Sequence, residues 1–245
     1  MELKILIGKT SINKMLASIH QPSYWPWLGL FDKIAKTDTF ILLDNAQVVK
    51  GTYQYRNIFF CSGEAKFITL PVNLKLGIRF NELEFNNGTW KAEHLNKLHN
   101  YYLKAPYFNV VYSELEKFYS NNFNNPIDLL KETMLFSFER LNINVDFFLS
   151  SQFSISGFKG EMVLNLCKAV GATHYLAGRG SFEYMQEYIP MFEEAKIKVT
   201  WHEFHHPVYG QDSRFPFVAG LSCLDLFFFQ GFEKAREIFW GNIIP

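Results

Sequence analysis

The sequence predicts an α/β fold with a mostly parallel sheet flanked by helices, and three features predict it. A short apolar strand, a loop, a helix and a second apolar strand follow one another between Leu16 and Leu43. The C-terminal third repeats the alternation of strand and helix. Between them runs a stretch of helical period, read as a lobe of about residues 89–142 within a single domain of residues 16–245. Residues 1–15 read as an N-terminal extension, with Met15 as an alternative start.

The elements follow in order. LASIH (16–20) is apolar and stopped by Pro22, so it reads as a buried strand. LGLFDKIAK (28–36) places Leu28, Phe31, Ile34 and Ala35 at helical spacing, and FILL (40–43) is a second buried strand ending at Asp44. Strands are expected over 53–60 and 66–72, the second stopped at Pro71, with a weaker one over 82–85. Residues 90–141 are helical in period, divided at Ala105-Pro106 and at NNFNNP, with Leu129, Leu130, Thr133, Met134 and Ser137 on one buried face. A strand over 153–156, a helix over 160–170, a strand over 173–176, a helix over 182–196 and a strand over 197–204 make a βαβαβ unit. It is expected to be parallel with right-handed crossovers. Helices over 221–229 and 232–240 close the chain.

Composition narrows the function classes. The 245 residues are 48% hydrophobic, enough for a sizeable core, and 26 are Phe. Twenty-four basic side chains balance 24 acidic ones, which leaves no basic stripe for nucleic acid and no polybasic membrane arm. No apolar run is long enough to span a bilayer, so no membrane insertion is expected. Cys61, Cys167 and Cys223 are odd in number and set in apolar surroundings, which fits free thiols in a reducing compartment, the cytoplasm.

In parallel sheets, ligands bind beyond the carboxyl ends of the strands. Four polar groupings fall there: His20-Gln21, Asp44-Asn45-Ala46-Gln47, Gly178-Arg179-Gly180 and His205-His206. His20 and Gln21 leave the first strand, and Gly29 sits near a helix start whose free amides suit phosphate or carboxylate. Tyr24, Trp25 and Trp27 could stack on a base or sugar; equally, the loop could be a rigid Pro-aromatic crossover packed on the core. Alternation along a strand puts Gln54 and Arg56 on one face, where Arg56 could grip a phosphate or form an ion pair with Asp44. His202-Glu203-Phe204-His205-His206 matches H-E-x-x-H in letters only. That pattern binds zinc on a helix, whereas residues 197–201 alternate like a strand and Pro207 takes His206 out of helical geometry, so no metal site is expected. Tyr209, Gln211 and Arg214 lie in a Pro/Gly loop. Ser222 reads as a cap and Asp225 sits one turn further on.

The stretches "IHQPSYWPWLGLFDKIAKTDTFILLDNAQ", "YQYRN", "LPV", "GATHYLAG" and "HPVYGQ…FPFVAGLSCLDLFFFQG" resemble the WbqC-like protein family, from about Met15 to Gly231. On that resemblance His20, Gln21, Pro22, Tyr24, Pro26, Trp27, Gly29 and Lys33 fill the first motif. Asp44, Gln47, Gln54, Arg56 and Asn57 fill the second, and His206, Pro207, Tyr209, Gln211, Ser222 and Asp225 the last. Position 45 is Asn where an acidic residue is expected in many relatives. The resemblance implies a role in O-antigen and other surface-polysaccharide biosynthesis, with glycyl or acyl transfer to the amine of a nucleotide-linked amino sugar. A more distant likeness, to nucleotidyltransferase-like (HUP-type) folds, lacks their His-x-Gly-His signature, since Trp27-Leu28-Gly29-Leu30 holds neither histidine.

These readings assign roles. His20 is the expected base, with His206 as runner-up, and Gln21, Gln211 or the amides near Gly29 are the oxyanion donors. Lys33 and Arg56 are placed on phosphate, and Tyr24 or Trp27 on the nucleobase. The acyl or amino-acid donor is open between ATP with magnesium, the ion held through Asp44, and an acyl thioester. A non-catalytic sugar- or partner-binding protein and a nucleotidyltransferase are the alternatives. The apolar segment 221–240 is a possible homodimer contact.

Overall fold

The computed structural model describes residues 14–86 and 88–243; the N-terminal extension therefore lies largely outside the described residues. Strand β1 (Leu16–His20), helix α1 (Leu28–Ala35) and strand β2 (Thr39–Leu42) open the fold. A hairpin, β3 (Arg56–Cys61) and β4 (Glu64–Thr69), follows. The lobe contributes α2 (Trp90–Tyr102), α3 (Phe108–Ser120) and α4 (Pro126–Leu141). Then come β5 (Asp146–Leu149), α5 (Lys159–Ala169) and β6 (His174–Ala177). The short helices α6 (Phe182–Met185) and α7 (Ile189–Glu194), strand β7 (Lys198–Trp201) and helix α8 (Cys223–Asn242) complete the chain.

The main sheet runs β5-β2-β1-β6-β7, and every pairing in it is parallel. Strand order reverses direction between β1 and β6, so a crevice opens there at the carboxyl ends. β2 is buried along its whole length, as a central parallel strand must be. Alternation sends Phe40 and Leu42 into one core with Phe31 and Ile34 of α1, Leu130 and Met134 of α4 and Phe227 of α8. Ile41 joins Ala17 and Ile19 in the opposite core, under Val163 of α5 and Phe192 of α7. The helical lobe shares the first of these cores with the sheet, covering the face that α1 also covers.

Several expected boundaries move. The edge strand after the lobe is Asp146–Leu149, while 153–156 is irregular after a 3-10 turn at Ser150–Gln152. β3 begins at Arg56, which leaves Gln54 in the preceding turn, off the strand face it was expected to share with Arg56. Residues 80–82 form a 3-10 turn, and Phe85 makes only an isolated bridge to Val72. The helix expected over 182–196 is broken into pieces, the last starting with Pro190 in its first turn, where a missing N–H costs nothing. α8 is kinked at Gly231 (φ +71°), and the Tyr107 ring would lie 2.7 Å from a Cβ there. Its Phe227 and Phe228 are fully buried within the chain, while Trp240 near its end is 40% exposed. Among the described residues, no helix is long and apolar enough to cross a membrane.

Candidate functional site

The loop between β1 and α1 is held from three sides. Asn57 of β3 donates through Nδ2 to the carbonyls of Tyr24 (3.1 Å) and Trp25 (2.7 Å), fixing Trp25 at a φ of +41°. The buried Trp25 indole N–H donates to the Tyr119 hydroxyl at 2.8 Å. From the far end of the chain, Cys223 N donates to Pro26 O at 2.9 Å, and Ser222 pairs with Trp27 as an isolated bridge. A bulky residue at positive φ is unfavourable by itself and persists where its surroundings over-determine it. The loop therefore delivers Trp27 and the start of α1 to a fixed place.

That place is the crevice at the strand-order reversal. A cavity of about 320 Å³ opens there, at the lower end of the range for small-molecule sites. His20 from the end of β1 and Trp27, Gly29, Leu30 and Lys33 from the start of α1 line one wall. Gly178, Arg179 and Gly180 after β6 and His202, Glu203, Phe204 and His205 after β7 line the other. The Trp27 indole meets Phe204 edge to face at 5.2 Å and lies across Gly29, where an added Cβ would come within 2.4 Å of the ring. Gly29 thus lets the indole lie flat on the helix start. No side chain caps α1, whose Trp27 N-cap offers none; Leu30 N turns back to Trp27 O at 3.1 Å, and the amides before it have no side-chain partner.

The cavity is electropositive within. Lys33 is buried, donates from Nζ to Ile19 O at 2.9 Å, and forms no ion pair among the described residues; burial lowers its pKa to about 7. Nζ also lies beside Gly178, 3.9 Å from where a Cβ would stand. His20 Nδ1–H donates to the carbonyl of Gln21 at 2.8 Å, which leaves Nε2 as the acceptor. Enclosure first, and the Lys33 charge second, lower its pKa to about 3, so the ring is neutral. His20 is nonetheless an exposed residue by its accessible surface. Behind the wall, the Nε2–H of buried His202 donates to Oδ1 of buried Asp32 at 2.6 Å, and Lys36 Nζ reaches the same oxygen at 3.0 Å. Arg179 and Glu203 form an exposed ion pair at the rim, 2.6 Å apart.

A family model, the WbqC-like protein family, matches residues 21–237. The chain belongs to the WbqC-like family. It is 29% identical over 224 residues to the uncharacterized protein Rv1507c of Mycobacterium tuberculosis (strain ATCC 25618 / H37Rv), covering 88% of this chain and 94% of that one. No solved structure matches the chain.

Of the WbqC-like motif residues, His20, Trp27, Gly29 and Lys33 come together in the cavity. Others build the frame. Tyr24 is fully buried, its hydroxyl bonded to His94 Nδ1 at 2.7 Å and to Tyr119, so it stacks in the core and is out of reach of a nucleobase. Asn57 staples the loop. Gln21 Oε1 accepts from Gln54 Nε2 at 2.5 Å, and Gln54 Oε1 accepts from Val49 N at 2.8 Å, so neither glutamine lines the cavity. Arg56 donates to the carbonyl of Gly51 and lies 4.2 Å over the Phe67 ring, without meeting Asp44 or the cavity. Gln47 is exposed and bridges to Arg79 through the backbone.

Asp44 lies at the same carboxyl end of the sheet but toward the β5 edge, away from β6 and β7. Its Oδ1 accepts from Ser150 Oγ and Ser151 N, each at 2.9 Å, and its Oδ2 from Ser151 Oγ at 2.5 Å. The carboxylate closes the turn after β5. The last motif forms a cluster of its own. Tyr209 Oη and Gln211 Nε2 donate to buried Asp225 at 2.8 and 2.6 Å, while Gln211 also bonds Val218 through both its amide atoms. His206 donates from Nδ1 to Pro207 O and packs among Phe204, Tyr209 and Phe217, outside the cavity. Residues 202–209 are irregular rather than helical, so His202 and His206 do not sit a turn apart on a helix face. Among the described residues, no group of three His, Cys, Asp or Glu is placed to hold a metal ion.

The pair missing from the expected site is Asp32–His202. His202 had a signal, its position at a strand end within a histidine cluster. Asp32 had none, because an acidic residue in an amphipathic helix normally reads as solvent-facing.

Proposed function

We propose that this cavity binds the phosphate and amino-sugar end of a nucleotide-linked amino sugar and that the protein transfers an acyl group, glycyl by family resemblance, to the sugar amine. The reading includes a place in surface-polysaccharide biosynthesis, in the cytoplasm. The observation that carries it is one recess holding a buried lysine without a counter-ion among the described residues, the uncapped start of α1 and three histidines. An anion completes the lysine and the helix end, and an imidazole handles the proton that amide formation releases. Trp27 and Phe204 offer the apolar face against which a sugar ring packs.

The reaction needs an activated donor, a thioester or an acyl-adenylate. The amine nitrogen attacks the donor carbonyl, the C–N bond forms, and the C–S or C–O bond to the carrier breaks. The ammonium proton passes to a base in the cavity, and the tetrahedral oxyanion accepts hydrogen bonds from amides at the start of α1. Gln21 and Gln211, the other expected donors, are engaged elsewhere in the fold.

A thermal-shift panel tests this: UDP- and dTDP-linked amino sugars, acyl-CoA, glycine and ATP with magnesium, singly and combined. Saturation at a hundredfold the dissociation constant stabilises the fold by about 2.7 kcal/mol. An amino-sugar nucleotide shifts the melt, and the stabilising donor then yields an amide detected by mass spectrometry. No shift with any amino-sugar nucleotide overturns the reading. A shift without amide formation favours the non-catalytic binding protein, and pyrophosphate release without amide favours nucleotidyl transfer.

A further inference from the structure

Three histidines line the cavity, His20, His202 and the exposed His205, and the first two are not equivalent as bases. His20 has its Nδ1–H tied to a neutral carbonyl, 2.8 Å away, and its nearest charged neighbour is the buried ammonium of Lys33. Protonating it would put a second positive charge into the same recess with nothing to offset it. His202 instead has its Nε2–H on a buried carboxylate at 2.6 Å. That bond selects the tautomer in which Nδ1 carries the lone pair, and His202 lines the cavity. A positive charge forming on this ring is met by Asp32, the arrangement by which carboxylates orient catalytic imidazoles.

We infer that His202, positioned by Asp32, is the proton acceptor of this site, and that His20 beside it only accepts a hydrogen bond from the bound amine. The inference rests on the transferase reading above. As the amine attacks the thioester or adenylate carbonyl, its proton moves to His202 Nδ1. That proton is returned to the departing thiolate or to solvent as the carrier leaves, so the site ends as it began. Asp32 is a positioning residue and exchanges no proton. Lys36 Nζ pairs with the same carboxylate oxygen at 3.0 Å. The other charged or titratable groups facing His202 across the recess are Lys33 and His20 on the near wall and Arg179, Glu203 and His205 on the far one.

The test combines nitrogen NMR with kinetics. In protein labelled with 15N-histidine, long-range 1H–15N spectra between pH 6 and 8 show which His202 nitrogen is protonated. The wild type is expected to be protonated at Nε2 and bare at Nδ1. Asp32→Asn offers an amide donor to Nε2 and moves the proton to Nδ1, by the logic of a wrong tautomer. With a dTDP-linked amino sugar and an acyl-CoA or acyl-adenylate donor, D32N and H202Q are expected to lose at least 100-fold in kcat, with KM within about threefold. The acidic limb of the pH–rate profile disappears with them, because protonation of the acceptor is what sets it, whereas H20Q raises KM more than it lowers kcat.

A protonated Nδ1 in the wild type overturns the inference, and so does a kcat within threefold of wild type in both D32N and H202Q. If no donor supports turnover, the transferase reading falls. The wild-type tautomer then decides alone: a bare Nδ1 keeps His202 as the site's proton acceptor, and a protonated one removes it. That measurement needs no variant to fold.

Discussion

Lys33 shows how a single residue reports the site. Its ammonium is buried with one backbone acceptor, and burial alone lowers its pKa to about 7 from 10.5. Between pH 7 and 10.5 the unfolded chain holds a proton that the folded chain has released, so this group makes stability rise with pH across that window. Below pH 7 the folded state carries the full cost of an unpaired buried charge. Lys33→Met removes that cost at similar volume. The variant is expected to melt at or above the wild-type Tm at pH 6–7 while losing at least tenfold in affinity for an amino-sugar nucleotide, read by calorimetry. A fall in Tm with unchanged affinity would mean the lysine is a structural residue. α1 is buried from Leu28 to Ile34, Asp32 and Lys33 included, which only the surrounding elements impose.

At the scale of elements, the loop between β1 and α1 works because the hairpin grips it. Asn57 satisfies two loop carbonyls and accepts from Ile58 N at 2.8 Å, all in the interior. Asn57→Ala leaves those carbonyls without donors, at about 1–3 kcal/mol per buried group. A loss of about 2–4 kcal/mol is expected, which for a chain of this size lowers Tm by about 4–16 °C. Ligand affinity falls with it, since Trp27 and the α1 amides hang on the same loop; differential scanning calorimetry and titration measure both. The sequence signalled an ordered loop through its prolines and aromatics. It could not show that Tyr24 and Trp25 turn inward while Trp27 turns out, because periodicity is lost in irregular backbone.

For the whole molecule, buried titratable groups set the response to pH. Asp225 is fully buried, and burial raises its pKa to about 7 from 3.8 in spite of Tyr209 and Gln211. Between pH 4 and 7 the folded state holds a proton that the unfolded state lacks, so this group makes stability fall with rising pH, by up to about 1.4 kcal/mol per pH unit. Buried His94, lowered to about 4, pulls the other way, losing its contribution as pH falls. The prediction is therefore a difference. Asp225→Asn becomes steadily more stable relative to wild type from pH 4 to 7, and denaturant unfolding at stepped pH measures it. A constant difference would place the Asp225 pKa near its ordinary value.

The sequence by itself determined the alternation of elements, the lobe, the buried strands and the family, because those follow from local apolar period and from ordered motifs. It also put His20, Trp27, Gly29 and Lys33 at one strand end. Only the tertiary structure decided which motif residues meet a ligand and which hold the frame. Strand order brings β6 and β7 beside β1 and leaves Asp44 on the far side, next to β5. The Asp32–His202 pair joins residues 170 positions apart, and no local pattern encodes a contact that exists only once the sheet is assembled.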